Sequence, residues 1–358
     1  MNLKNNKQRG IRHSNRLLKG RIKIKTKVIT GYKAKGIEGD LWNHLALKNE
    51  NSFLVGGKDK GIKLVDNGRL LFVGKVSNKM FSSLGDIFYS RRLNCYFIHA
   101  DYNLYRKEID RNPPYLFLHL DERENNFKSL VYSEKKEKLV ILRINKNFLV
   151  LSPGRKKIEF TLARKKILGE AMDSSFFGSR DDELVGITFD RVAFVYDLFS
   201  PRQSREIVST LHLKTLDETE DCGSSIAGSH NGDYFCVALG KFTHPWSISR
   251  VVLIRFDSSS RRLEVVATLN LFEKNIGNLL SLGCSGQIGR YLTFFGLSRL
   301  KKGVVLLFGY DNENGEFREV GNSCVSHRER YPSKIEKLGK SFYYTGYFGK
   351  VVRLRVTL

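Results

Sequence analysis

The chain of 358 residues carries a formal charge of +24, with 41% hydrophobic and 11% aromatic residues, which is enough apolar material for packed cores and excludes a disordered polycation. It is longer than a single hydrophobic core normally grows, so several domains or internal repeats are expected. No apolar run reaches the roughly 18 residues of a membrane-crossing helix, and the five cysteines lack a CxxC pair for zinc or redox work.

In chain order, the first segment is polar, aperiodic and basic. Twelve Lys and Arg precede the first acid, Glu38. Residues 1–20 read as a flexible basic arm, with Lys4, Lys7, Arg9, Arg12, Arg16 and Lys19 placed to meet an acidic protein surface or a phosphate polymer. A solvated tail is the plainer reading of the same charges. The arm lacks the apolar centre of a secretory signal. With cysteines embedded in apolar bursts, as in LNCYFI and YFCVAL, an intracellular protein, cytoplasmic or nuclear, with buried reduced thiols is expected.

From Arg21 to Thr30 the pattern becomes strict alternation, with Ile22, Ile24 and Val28 on one side and Arg21, Lys23, Lys25 and Lys27 on the other. A period of two with one apolar face describes a half-buried strand. It has no local partner.

The next stretch, SFLVGGKDKGIKLVDNGRLLFVGKV, holds three apolar bursts separated by a Gly-Lys-Asp-Lys-Gly loop and by Asp66-Asn67-Gly68. These are strands of a meander, and Asp-Asn-Gly supplies a tight hairpin turn. Polar turns near residues 50, 91, 135, 181, 231, 287 and 338 are 41 to 56 residues apart. A second series interleaves with them at Asp66, Asp110, Ser152, Ser200, Asp257 and Asp311. The unit is therefore strand, turn, strand, loop, strand, turn, strand, and four strands at a period of 40 to 50 residues mark a β-propeller. The expected fold is all-β, a seven-bladed propeller of four-stranded antiparallel blades at about 40–77, 80–120, 126–162, 166–213, 222–271, 276–321 and 325–358. The last unit has sequence for only three strands. The orphan strand of residues 21–30 supplies the fourth and closes the ring.

FLVGGKDKGIKLVDN and ELVGITFDRVAFVYDL resemble the second and third strands of WD40-like repeats, with Val65-Asp66 and Tyr196-Asp197 in place of Trp-Asp. The resemblance covers nearly the whole chain after Asp40, although no unit has the Gly-His pair. Later units also look like repeats of lactonase-type propellers. The WD40 resemblance implies that the loops between second and third strands share one face used for partners.

Here those loops carry nine basic residues against three acids. The partner-binding candidates are Lys58, Lys60, Arg191, Lys241, Phe242, Trp246, Arg299, Lys301, Lys302, Tyr347 and Phe348. Phe242 and Trp246 have the character of binding hot spots, and Tyr347 and Phe348 are a second aromatic pair of that kind. Trp246 folded back to cap its own blade is the competing reading. Acidic connections at Asp121 to Glu124 and Asp217 to Asp221 make the face mixed in sign, which suits selection of a protein partner.

Signatures of catalysis are missing from the sequence: no phosphate loop, dinucleotide fingerprint, HExxH or GxSxG occurs. Eight histidines are dispersed without ligand spacing, and His99 and His119 read as hydrogen-bonded packing residues. No catalytic residue, metal or cofactor is expected. The favoured role is a non-catalytic scaffold for protein partners. The alternatives are an RNA- or DNA-associated propeller and a lactonase-like hydrolase.

Overall fold

The computed structural model describes residues 22–28, 44–56, 61–75, 84–100, 103–110, 114–119, 127–133, 135–143, 148–152, 161–162, 172–177, 183–188, 191–197, 207–213, 227–231, 233–241, 247–271, 279–298, 304–324, 335–345 and 351–357. These residues form seven antiparallel sheets of four strands each.

Blade 1 comprises β2 (His44–Asn49), β3 (Ser52–Gly56), β4 (Gly61–Asp66) and β5 (Arg69–Lys75); β1 (Lys23–Val28) precedes it in the chain and belongs elsewhere. Blade 2 is β6 (Leu84–Ser90), β7 (Cys95–Ala100), β8 (Asn103–Glu108) and β9 (Tyr115–His119). Blade 3 is β10 (Phe127–Ser133), β11 (Lys138–Arg143), β12 (Phe148–Leu151) and the short β13 (Thr161–Leu162). Blade 4 is β14 (Met172–Phe177), β15 (Glu183–Thr188), β16 (Val192–Asp197) and β17 (Ile207–His212). Blade 5 is β18 (Ala227–Asn231), β19 (Tyr234–Lys241), β20 (Ser247–Asp257) and β21 (Arg262–Asn270). Blade 6 is β22 (Leu279–Ile288), β23 (Tyr291–Ser298), β24 (Val304–Asp311) and β25 (Glu316–Cys324). The expected limit of this unit was residue 321, but the β24 ladder continues to the pair Val304 and Cys324.

Blade 7 takes β26 (Glu336–Leu338), β27 (Ser341–Thr345) and β28 (Val351–Thr357) from the C-terminal end and β1 from the N-terminal end. Strand β1 pairs with β28 in unbroken antiparallel register from Lys23 opposite Thr357 to Val28 opposite Val352. The first strands of successive blades lie side by side, β2 beside β6, β6 beside β10 and so on to β22 beside β26, and β26 lies beside β2. The ring is closed, so the first strand of each blade lies between those of its two neighbours and its short inner edge is protected.

Most described middle strands, such as β3, β7, β16 and β27, are buried on both faces, which explains their apolar bursts, whereas β8 with NLYRKE is only partly covered. Phe53, Val55 and Val65 pack with Tyr343 and Val351 of blade 7, whereas the alternating Leu54, Ile62 and Leu64 pack with Ile87, Tyr96 and Ile98 of blade 2. Each strand therefore feeds two inter-blade cores. Between blades 2 and 3, Phe88 stacks on Phe97 and on Tyr132 with ring centroids 5.1 and 5.0 Å apart. The hairpin at Asn67-Gly68 has φ of +49° and +75°, the left-handed pair that a two-residue hairpin turn requires.

Five outermost strands carry a bulge against the third strand, at Leu71, Phe117, Val208, Val266 and Val320. An extra residue twists the strand and spoils its outer edge as a template for pairing with another chain. It also turns side chains inward, because Phe117, Val208, Val266 and Val320 pack against the following inter-blade core. Leu71 differs, standing 42% exposed beside Leu70.

One buried charge sits at a blade junction. Lys107 on β8 is fully buried, donates to the Glu108 carbonyl, and lies 5.7 Å from the ring centroid of Phe72 on blade 1. Burial holds its ammonium below the ordinary lysine value. The unfolded chain then binds the proton more tightly, so stability should rise with pH between the depressed value and the ordinary 10.5. Lys107→Met should raise stability by about 1 to 2 kcal/mol near neutral pH and remove that alkaline rise. Urea melts of both proteins across this range check it; a less stable Met variant would show that the ammonium's bonds outweigh its burial.

Candidate functional site

Antiparallel connectivity gives the ring two unlike faces. First and third strands end on one face, where the first-to-second and third-to-fourth turns lie. The second-to-third loops and the connections between blades leave from the other. Lys58 and Lys60 fall between β3 and β4, Phe242 and Trp246 between β19 and β20, Arg299, Lys301 and Lys302 between β23 and β24, and Tyr347 and Phe348 between β27 and β28. These residues, like Lys4, Lys7, Arg9, Arg12, Arg16 and Lys19, lie outside the described residues. Lys241 ends β19 with its backbone opposite Ser247.

Arg191 is described, and it is not a crest residue. It has φ of +59° and 6% exposure. Its amide donates to the Thr188 carbonyl at 3.0 Å, its carbonyl accepts from the Leu213 amide at 3.0 Å, and the Thr188 hydroxyl accepts from the Val192 amide at 3.1 Å. Threonine thus caps a tight turn whose arginine side chain is held in the body of blade 4.

The turn face carries most of the polar geometry that is described. Several third strands end on an acid, and the carboxylates cap the turn that follows. Asp257 accepts from the Ser259 and Ser260 hydroxyls and the Ser259 amide, and these bonds, that from the Ser259 hydroxyl foremost, hold its carboxyl far below the ordinary range. Asp311 accepts from Asn314 at 2.8 Å and from the Glu313 amide at 3.1 Å, and pairs with Arg290 at 2.9 Å. Burial opposes its ionisation, but those donors outweigh it and leave the carboxyl below its ordinary value. Arg290 and Arg318 both donate to the Tyr291 hydroxyl and lie 5.2 and 5.8 Å from its ring centroid. The aromatic-Asp pairs Phe256-Asp257 and Tyr310-Asp311 thus repeat the sequence signal of Tyr196-Asp197, and here it marks turn caps.

A second network spans the two ends of the ring. Glu50, in the first turn of blade 1, accepts from the Tyr343 hydroxyl at 2.5 Å and from Arg353 at 2.9 Å, both on blade 7. The Tyr343 bond foremost, with Arg353 and Arg355 nearby, lowers the Glu50 carboxyl, against some opposing desolvation. Burial first, and the Glu50 carboxylate second, push the Tyr343 hydroxyl up to about 12.

Chemically reactive groups are muted elsewhere in the described residues. Burial pushes the Cys95 thiol up to about 11 and the fully buried Cys236 thiol further still, so neither is a ready thiolate. His119 Nδ1 is 2.7 Å from Asn103 Oδ1 across β8 and β9. Among the described residues no group of three His, Cys, Asp or Glu is placed to hold a metal ion, and no helix is long and apolar enough to cross a membrane.

No family model and no curated protein sequence matches the chain. Solved structures do. A chain in the crystal structure of the mitotic checkpoint complex superposes with a TM-score of 0.64 at 9% identity, over 88% of this chain and 87% of that one. At that identity the likeness concerns the fold. Together with the seven four-stranded sheets and the N-terminal strand that completes the last of them, it identifies the architecture as a seven-bladed β-propeller.

Proposed function

We propose that the chain is a non-catalytic propeller scaffold for protein-protein interaction, working through the face that bears the second-to-third-strand loops and through its basic N-terminal arm. One observation carries the reading. Several described carboxylates of the turn face are spent on capping turns and fastening strands, as with Asp257, Asp311 and Glu50, while the closed ring of apolar inter-blade cores supplies a rigid frame for variable loops. On this reading Lys58, Lys60, Lys241, Arg299, Lys301 and Lys302 select an acidic partner, Phe242, Trp246, Tyr347 and Phe348 provide anchors, and the arm adds a long-range contact.

A pull-down with the full-length protein, washed with and without nuclease and at low and high salt, tests it. Partners should survive nuclease, and Trp246→Ala or Lys301→Ala/Lys302→Ala should lower their recovery about tenfold, the loss of one hot spot of about 1.4 kcal/mol or more. The concentration of twelve cations before Glu38 favours one other reading, a nucleic-acid-associated propeller. Partners lost on nuclease treatment, with binding that falls steeply with salt, would replace the scaffold reading with that one.

A further inference from the structure

The face opposite those loops carries a cationic shelf of its own, at the first-to-second-strand turns of blades 2 and 3. The two turns are built alike. In each, a fully buried serine ends the first strand and its hydroxyl accepts from the amide three residues on, Ser90 from Leu93 at 3.3 Å and Ser133 from Lys136 at 3.1 Å. Each closes on a left-handed residue, Asn94 at φ +49° and Glu137 at φ +51°. The turns are tied to each other by the Ser90 and Tyr132 hydroxyls at 3.0 Å, by the Arg92 and Glu137 ion pair, and by the Phe88 and Tyr132 stack beneath. Exposed on this paired frame are Arg91, Arg92, Lys135 and Lys136, with Lys138 half-buried beside them.

Among the described residues of the two turns, five cations, Arg91, Arg92, Lys135, Lys136 and Lys138, stand against one carboxylate, Glu137. The equivalent turns of blades 1 and 5 instead carry Glu50 and Asp233, and that of blade 6 has its Arg290 paired with Asp311. Among the described residues the cations are densest on these two adjacent turns, blade 7 adding only Lys337 and Lys340 at its own turn, and fixed turns hold them there at little further entropic cost. We infer that this sector docks an acidic, Asp- or Glu-rich segment of a partner polypeptide.

The mixture of signs favours a peptide over a nucleic acid. An extended peptide presents same-side carboxylates about 7 Å apart and can engage cations one at a time. Duplex DNA presents a charge about every 1.7 Å and rewards an unbroken cationic track. Glu137, and the third-strand-end Glu108 and Asp110 of blade 2, interrupt any such track. This surface is separate from the loop face of the proposed scaffold, so it stands or falls on its own.

Fluorescence anisotropy tests the proposal, using the full-length chain with a labelled oligoglutamate peptide and with a single-stranded oligonucleotide of equal charge. Arg91→Ala/Lys135→Ala/Lys136→Ala should weaken peptide binding about tenfold or more, while Arg261→Ala/Arg262→Ala at the blade 5 turn should not. A variant with Lys4, Lys7, Arg9 and Arg12 replaced by Gln should keep the turn-dependent difference, which separates the shelf from the arm. The corresponding Gln substitutions at Arg91, Lys135 and Lys136 stand in if the alanine variant unfolds. Peptide binding unchanged by either turn variant overturns the proposal, and so does tighter, turn-dependent binding of the oligonucleotide.

Discussion

Removing residues 21–30 should lower the melting temperature by on the order of 10 °C and expose blade 7 to protease, whereas removing residues 1–20 should leave both nearly unchanged. The reason is what β1 does. Ile22 and Ile24 are 7% and 8% exposed and join a core with Phe295, Leu307, Phe342 and Leu354, each worth about 1.5 to 3 kcal/mol on burial. Losing them, with the whole β28 ladder, costs on the order of 5 kcal/mol or more, and a domain of this size shifts by roughly 2 °C per kcal/mol. The strand is also held from its other side. A Cβ at Gly321 on β25 would stand 2.9 Å from the Ile22 carbonyl oxygen, so Gly321→Val should press β1 off blade 6 at a cost of about 1 to 3 kcal/mol. Equal melting temperatures for the two truncations, by calorimetry, would show that the ring does not depend on this strand.

Closure by β1 was legible because an outermost strand has one covered face. Its alternation survives in Ile22, Lys23, Ile24 and Lys25, whereas β3, with neighbours on both faces, reads as an unbroken apolar run and reveals a strand without revealing its sides. Turn chemistry was legible for the same local reason. Asp66-Asn67-Gly68 is a hairpin in sequence and in structure. The polar turns repeat at one period because every blade is one supersecondary unit.

What stayed hidden depends on distance or on a second strand. Glu50 meets Tyr343 and Arg353 across 293 and 303 residues, a separation at which a single sequence carries no periodic signal. The bulges at Leu71, Phe117, Val208, Val266 and Val320 exist only as mismatches between two strands, and apolar residues there look like ordinary strand positions. Lys107 in NLYRKE sits among polar neighbours, and Arg191 in FDRVAF follows an acid in the short connection between two strands, so their burial is invisible until the adjacent blade or the turn is in place. Arg191 was expected among the loop cations on that ground. The Ser90 and Ser133 turns were located as turns, but their likeness to each other emerged only from the paired hydrogen bonds.

Tyr343→Phe should destabilise the protein by about 1 to 2 kcal/mol at neutral pH and change how its stability responds at both ends of the pH scale. The hydroxyl donates to a carboxylate, and such bonds contribute about 1.5 to 3 kcal/mol when buried, reduced here because the Glu50 side chain is 43% exposed and partly screened by water. In the folded protein Glu50 ionises below its ordinary 4.5, so its contribution is fully present above that value and is lost as pH falls through the lowered one. Tyr343 is held protonated up to about 12 against an ordinary 10. Its contribution is therefore complete below pH 10 and is lost between 10 and 12, where the unfolded chain releases the proton first. The parent protein should show both losses, the alkaline one on the order of 2 kcal/mol. The Phe variant should lose Tyr343's share of the alkaline limb, leaving that of the buried Tyr96, and keep a shallower acid limb, because Arg353 still pairs with Glu50 at 2.9 Å. Glu50→Gln should lose Glu50's share of the acid limb, leaving that of Asp257 and Asp311, while Tyr343 stays buried and retains part of the alkaline one. Denaturant melts of the three proteins across the pH range separate these outcomes. If all three curves are parallel, the join between blades 7 and 1 rests on β1 and the Phe53, Val65, Tyr343 and Val351 core alone, and the polar clasp adds nothing to it.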